Sequence, residues 1–295
     1  MKYKSFGRTC FNIFNYAILI ITCLLCLLPF VHLLALSFSS STAVSAGAVG
    51  LWPVDFNTKS YEFAIQGGKF FKALFVSLKR VALGVPISLF LIVITAYPLS
   101  KSKEKIAGRN LYMLFFAIPM FISGGMIPRY LVVSKLGLLN SIWSLVLPGA
   151  LSVYNMVIMM NFMRGLPEEI EEAAFIDGAG PFKALILVQL PLLKPGLATI
   201  GLFSIVGHWN SWFDGVIYMN ETAKYPLQSY LHTLLRSFDE MMQLSSGDYI
   251  QLLSMMNART GRSAQLFLAA LPIMIVYPFL QRYFVTGMAL GAVKG

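Results

Sequence analysis

Five of the chain's thirteen carboxylates fall in one short run, Glu168, Glu169, Glu171, Glu172 and Asp177, uninterrupted by Lys or Arg. Catalysis would require such groups to work beside a nucleophile, an acid–base partner or a metal. The three His residues are dispersed, and neither an HExxH nor a GxSxG pattern occurs. Cys23 and Cys26 have CxxC spacing inside an apolar stretch, where they read as small packing residues rather than a redox or metal pair. No GxxxxGK[ST] phosphate loop is present. The chemistry open to the acidic run is docking. Ala173 and Ala174 leave a shallow surface beside glutamates that repel one another unless cations neutralise them, and those cations are expected on a soluble partner.

The chain that must position this run is 57% hydrophobic and only 12% charged. Soluble domains carry about 25% charged residues, so the composition predicts an all-α polytopic membrane protein. Charge-free apolar stretches long enough to cross a ~30 Å hydrocarbon core occupy 17–36, 81–98, 111–128, 142–163, 196–213 and 263–281. This predicts six transmembrane helices in one domain over residues 1–295, with a polar loop at 164–195. The first stretch follows Lys2, Lys4 and Arg8 but exceeds the roughly 7–15 residues of a signal-peptide core, so it reads as a retained helix. The net charge of +10 is expected to meet membrane lipid rather than nucleic acid.

Short basic segments set orientation. The amino terminus holds three bases and no acid, and the segment 99–110 holds Lys101, Lys103, Lys105 and Arg109 against Glu104. Both termini, and with them the loop 164–195, are therefore expected in the cytoplasm. The segments 37–80 and 218–262 then face outward. Within the latter, Leu227, Tyr230, Leu231, Leu234, Phe238, Met241 and Met242 recur at near-helical spacing. A helix lying on the bilayer and a surface receiving an external protein both fit that pattern.

Locally, Pro167 suits the first turn of a helix, and the four glutamates crowd its amino-terminal turns, where the helix dipole favours carboxylates. Gly178 is a natural stop, Pro181 a restart, and Pro191 and Pro195 end the second helix. The loop should fold as helix, sharp turn, helix.

Glu172-Ala173-Ala174, then Gly178, then Val188-x-Leu190-Pro191 resembles the EAA motif of binding-protein-dependent ABC importer permeases, with Val188 where that motif usually has Ile. Asn161 to Glu169, the pair Trp209-Asn210, and the tail Tyr277 to Phe284 are similar to the same family. The ending Gly287 to Gly295 resembles the maltose-type carbohydrate-uptake permeases, nearest the subgroup handling oligosaccharides or polysaccharide fragments such as alginate. The resemblance implies a type I importer permease in a bacterial cytoplasmic membrane. It implies a heterodimer with a second permease, two cytoplasmic ATPase subunits, and an external binding protein that delivers a carbohydrate. ATP and Mg would be used by the ATPases, and this chain would bind no cofactor or metal and catalyse nothing. Glu168, Glu169, Glu172, Ala173, Ala174, Asp177, Gly178 and Pro191 would belong to the coupling loop, seated in a groove of one ATPase.

A sugar path needs flat aromatic faces and hydrogen-bonding groups. The candidates are Tyr154 and Asn155 on the fourth stretch and Trp209, Asn210 and Trp212 on the fifth. An interfacial aromatic belt explains the tryptophans equally well, and interhelical hydrogen bonding explains the asparagines. An ion-driven transporter usually carries charged residues within its spans, which argues against that alternative here. A membrane-embedded enzyme lacks the clustered groups it would need.

Overall fold

The long apolar amino-terminal segment, charged only at Arg8, forms a single helix, α1 (Phe6–Ser37), in the computed structural model. The structure describes residues 6–65, 68–122, 124–244, 260–275, 277 and 278, and all regular structure among these is helical. The chain divides into two units, Met1–Phe70 with Thr233–Leu271, and Phe71–His232 with Pro272–Gly295.

In the first unit, α1 is followed by α2 (Ser41–Ser45) and α3 (Lys59–Ile65). Ser40 caps α2 by accepting the Ala43 N–H at 3.2 Å. Ala35, Ala43, Val44 and Val49 form a small buried cluster beside this turn, and Phe38 stacks on Phe56 at 5.2 Å. Residues 7–31 of α1 are exposed in the single chain.

The second unit is built on α4 (Lys69–Ser100), a 32-residue helix that runs past Pro86 and Pro98 without a break. Next come α5 (Arg109–Phe121), α6 (Met126–Lys135), and α7 (Ile142–Val146), which continues into a 3₁₀ turn at Leu147–Gly149. Then follow α8 (Val153–Arg164), α9 (Glu168–Ile176) and α10 (Pro181–Lys183). A π-helical segment, Ala184–Gln189, leads to α11 (Leu190–Leu192), α12 (Lys194–Asn210), α13 (Phe213–Tyr218) and α14 (Leu227–Leu244).

The ranges 17–36 and 81–98 lie inside α1 and α4, each long and apolar enough to cross a membrane by itself. The others are bent. Helices α5 and α6 diverge by 114°, where Gly125 takes φ +83° and Pro119 and Pro128 flank the break, so 111–128 is not one straight helix. Helices α7 and α8 meet at 51° across Pro148 and Gly149. The segment Pro181–Leu192 meets α12 at 84°. Counting each bent pair once gives up to five candidate spans among the described residues. Residues 260–275, 277 and 278 are helical, whereas 276, 279–281, most of the tail motif and all of 287–295 lie outside the described residues.

The core is a seam between α4, α8 and α12. Met156, Met159, Met160 and Met163, at i, i+3, i+4 and i+7, put one face of α8 against Ile92, Ala96 and Leu99 of α4 and Ile200 of α12. In lipid, close packing rather than water exclusion holds such a seam together. Small residues permit the approach: a Cβ on Gly84 would fall 2.6 Å from the His208 ring, and one on Gly196 would fall 2.9 Å from Phe162.

Candidate functional site

The acidic run folds much as its sequence demands. Pro167, at φ −58° and ψ 135°, delivers the chain into α9, whose first turn holds Glu168, Glu169 and Glu171. The helix ends in a Schellman turn: Gly178 N–H donates to Phe175 O at 3.0 Å and Ala179 N–H to Ala174 O at 2.9 Å. Gly178 takes φ +78° with open space around it, so the backbone conformation, not crowding, calls for glycine. Beyond Pro181, the widened π turns run up to Pro191, whose ring and missing N–H do not fit an ordinary i−4 bond.

Three of the four glutamates are neutralised from within the chain. Glu171 is buried, accepts the Tyr97 hydroxyl at 2.7 Å and lies 2.6 Å from Lys101 Nζ, which also sits 4.3 Å above the Tyr97 ring. Lys105 Nζ lies 3.0 Å from Glu168 and 3.8 Å from Glu172. Arg109 and Arg164 both donate to the Leu99 carbonyl, at 2.9 and 3.2 Å, closing the last turn of α4. Burial pushes the Glu171 carboxyl upward, but the hydrogen bonds from Lys101 and Tyr97 outweigh it and leave the group below its ordinary value. The bond to Glu168 raises the Lys105 ammonium. The expectation that a soluble partner supplies the neutralising cations is thus corrected for Glu168, Glu171 and Glu172, since segment 99–110 supplies theirs across some sixty to seventy residues of chain. These contacts also place the segments 99–110 and 164–195 on the same side of the second unit.

This reassigns surfaces on α9. Ala174 is buried where α9 packs on the π segment, so its small size serves contact within the chain, while Ala173, Glu169, Glu172, Asp177 and Gly178 are exposed. Ile176 is 87% exposed, and with Phe175 and Phe182 it presents apolar groups at the helix–turn–helix tip. Pro191 is exposed on α11. Sequence reasoning passed over Glu171 as a site residue; its i, i+3 relation to Ala174 on one face was the available signal.

At the other end of α4 lies a polar cavity of about 260 Å³. Arg80, only 3% exposed, forms an ion pair with Asp214 through both guanidinium Nη atoms, one of them 3.1 Å from Oδ1. Ser211 Oγ and the Gly215 N–H, both at 2.9 Å, also donate to that carboxylate oxygen. His208 lies 3.5 Å from Arg80 Nε and from Ser88 Oγ. Arg129, Ser144, Ser152, Asn155 and Ser204 complete the polar lining.

Of the five candidate path residues, only Asn155 lines this cavity. Tyr154 is exposed beside it, and Trp209 is buried in the helix packing. Asn210 is exposed, and Trp212 stacks on His232 at 3.8 Å. The structure does not bring the five together.

Long apolar helices, a helix–turn–helix held against α4 at one end and a polar cavity at the other match a known family. The chain belongs to the binding-protein-dependent transport system inner membrane components, whose family pattern covers residues 63–290. It is 35% identical to the polygalacturonan/rhamnogalacturonan transport system permease protein YtcP of Bacillus subtilis, over 97% of this chain and 98% of that one. It is 38% identical to protein LplC of the same bacterium, over 91% and 90% of the two chains. A bacterial ABC transporter involved in the import of the acidic polysaccharide alginate superposes with a TM-score of 0.84 at 31% identity, covering 96% of this chain and all of that one. The chain is therefore an ABC permease of type I importer fold, the membrane component of its system rather than a catalytic one.

Proposed function

We propose that this chain is one permease subunit of an ATP-driven importer that takes up an oligosaccharide or polysaccharide fragment delivered by an external binding protein. The observation that carries the reading is its full-length similarity to permeases of polygalacturonan/rhamnogalacturonan and alginate transport. A second permease, two cytoplasmic ATPases and the binding protein complete the assembly. ATP and Mg are handled by the ATPases.

In this reading α9 is the coupling helix. Its apolar tip at Phe175, Ile176 and Phe182, bordered by Glu172, Asp177 and Gly178, enters a groove of one ATPase. The ion pairs to Lys101 and Lys105 carry ATPase motion into α4. The charge pattern on α4 supports this placement. Arg80 and Ser100 are twenty residues apart, about 30 Å at 1.5 Å per residue, the depth of a hydrocarbon core. One polar cluster then lies at each membrane surface, with α9 and both termini in the cytoplasm and six spans in all. Asn155 lines the sugar path, while Tyr154 and Asn210 face the companion permease, with Trp209 and Trp212 shaping the wall between.

The test is affinity purification of the chain with its co-produced partners, followed by ATPase measurements with binding protein and a panel of oligosaccharides. Co-purification of two ATPases and stimulation by an oligosaccharide are the expected results. Stimulation only by a non-carbohydrate solute would overturn the substrate class. Absence of any cross-link from Ala173→Cys to an ATPase, in every nucleotide state, would remove α9 from the coupling role.

A further inference from the structure

We infer that Arg129 selects for acidic sugars by binding the carboxylate of a uronate residue in the outer cavity, an assignment that rests on the carbohydrate reading above. The cavity holds two kinds of charge. Arg80 and Asp214 satisfy one another, and Asp214 is further saturated by Ser211 and Gly215. That pair is electrically closed and forms part of the wall. Arg129 is different. It is exposed to the cavity side of α6, and among the described residues its hydrogen bond runs from Nη2 to the Pro148 carbonyl at 3.1 Å. Among the described residues no carboxylate pairs with it.

A guanidinium carries five N–H donors in a planar fork that fits a carboxylate in a bidentate manner. Among the described residues one donor is used, so the fork remains open. A guanidinium without a counter-charge is a ready partner for an anionic ligand. Elsewhere in the lining, Asn155 and Ser204 are 8% and 7% exposed and offer polar side chains to the cavity. The hydroxyl groups of a passing sugar can hydrogen-bond to such groups. A uronate answers both needs at once: its carboxylate meets Arg129 and its ring hydroxyls meet Asn155 and Ser204. A neutral sugar answers only the second. At about 260 Å³ the cavity sits at the small end of ligand pockets, on the scale of one ring rather than a chain, as suits a site that a polymer passes residue by residue.

The experiment is thermal stabilisation of the purified permease complex, without binding protein, by trigalacturonate and by its carboxyl-reduced counterpart. The wild-type complex should respond to the acidic trimer at a concentration about tenfold lower than to the neutral one, the scale of one charged hydrogen-bonded contact. Arg129→Gln should lose that preference while keeping its response to the neutral trimer. Arg129→Lys, which keeps the charge but not the fork, should retain part of it. A preference that survives in Arg129→Gln overturns the inference, as does a wild-type complex that responds to neither trimer. If Arg129→Gln fails to assemble, Arg129→Lys decides, and an undiminished preference there overturns it equally. Loss of companion-subunit co-purification in both variants assigns Arg129 to the subunit interface and also overturns it. The carbohydrate reading is decided separately, by binding-protein-stimulated ATPase activity.

Discussion

The two ends of α4 solve the same problem, a cation close to carboxylates, in different ways. At the Arg80 end an arginine is clamped by both oxygens of Asp214, within a shell of serine hydroxyl and backbone donors. At the Ser100 end two lysines hold Glu168, Glu171 and Glu172, with Tyr97 as an added donor. A guanidinium fork fixes direction as well as distance, whereas an ammonium is a point charge on a flexible stem. The arginine pair therefore acts as masonry for a cavity wall. The lysine pairs fasten α9 to the end of α4 with less directional constraint.

That contrast can be broken at either end, and the Arg80 end should break harder. Asp214→Ala leaves Arg80 buried without a counter-charge and should destabilise the folded chain by roughly 3–5 kcal/mol. Pairing it with Arg80→Met should recover most of that loss. Thermal unfolding in detergent of single and double variants measures both, and a double variant no better than the single would contradict the masonry description.

Glu171→Gln comes next. It keeps a partner for Tyr97 but loses the charge that Lys101 answers, for an expected cost of about 1–3 kcal/mol. The signature should be uncoupling: assembly intact, ATP hydrolysis retained, uptake reduced. The same contact carries a pH dependence. The folded-state value of Glu171 lies below its ordinary value, so its stabilisation is fully present above about pH 4.3 and is lost as pH falls through the lower folded value. Hydrogen exchange of α9 should stay slow at pH 5 and accelerate only at more acid pH. Acceleration already near pH 6 would show that Glu171 is not the fastening group.

Lys105→Ala should have the smallest effect. Both of its ion pairs are exposed, and exposed pairs contribute little and less still in salt. Uptake close to wild type is expected at high ionic strength, with any defect confined to low salt.

Local signals were legible in the sequence where local physics decides. The start after Pro167, the turn at Gly178 and the restart at Pro181 each follow from one residue's backbone preference, and each appears within a residue of its expected place. What stayed hidden depended on distant partners. Lys101 and Lys105 read as orientation signals, because nothing within their own segment reveals that Glu171 and Glu168 will face them. The cavity beside Arg80 was hidden by the criterion used to find the spans. Ranges drawn to contain no charge stop at 81 and at 128, one residue short of Arg80 and of Arg129. Charges that line a cavity were set aside as boundary markers.

The methionine face of α8 has a mechanical consequence. Met156, Met159, Met160 and Met163 are unbranched at Cβ, with three side-chain torsions each, so they exchange rotamers where valine or isoleucine would lock. A seam filled this way resists compression, because it is closely packed, but it yields to shear. Oxidation would remove that property, since a sulfoxide is polar and disrupts an apolar core. The plane between α4 and α8 is lubricated, and its lubricant is perishable.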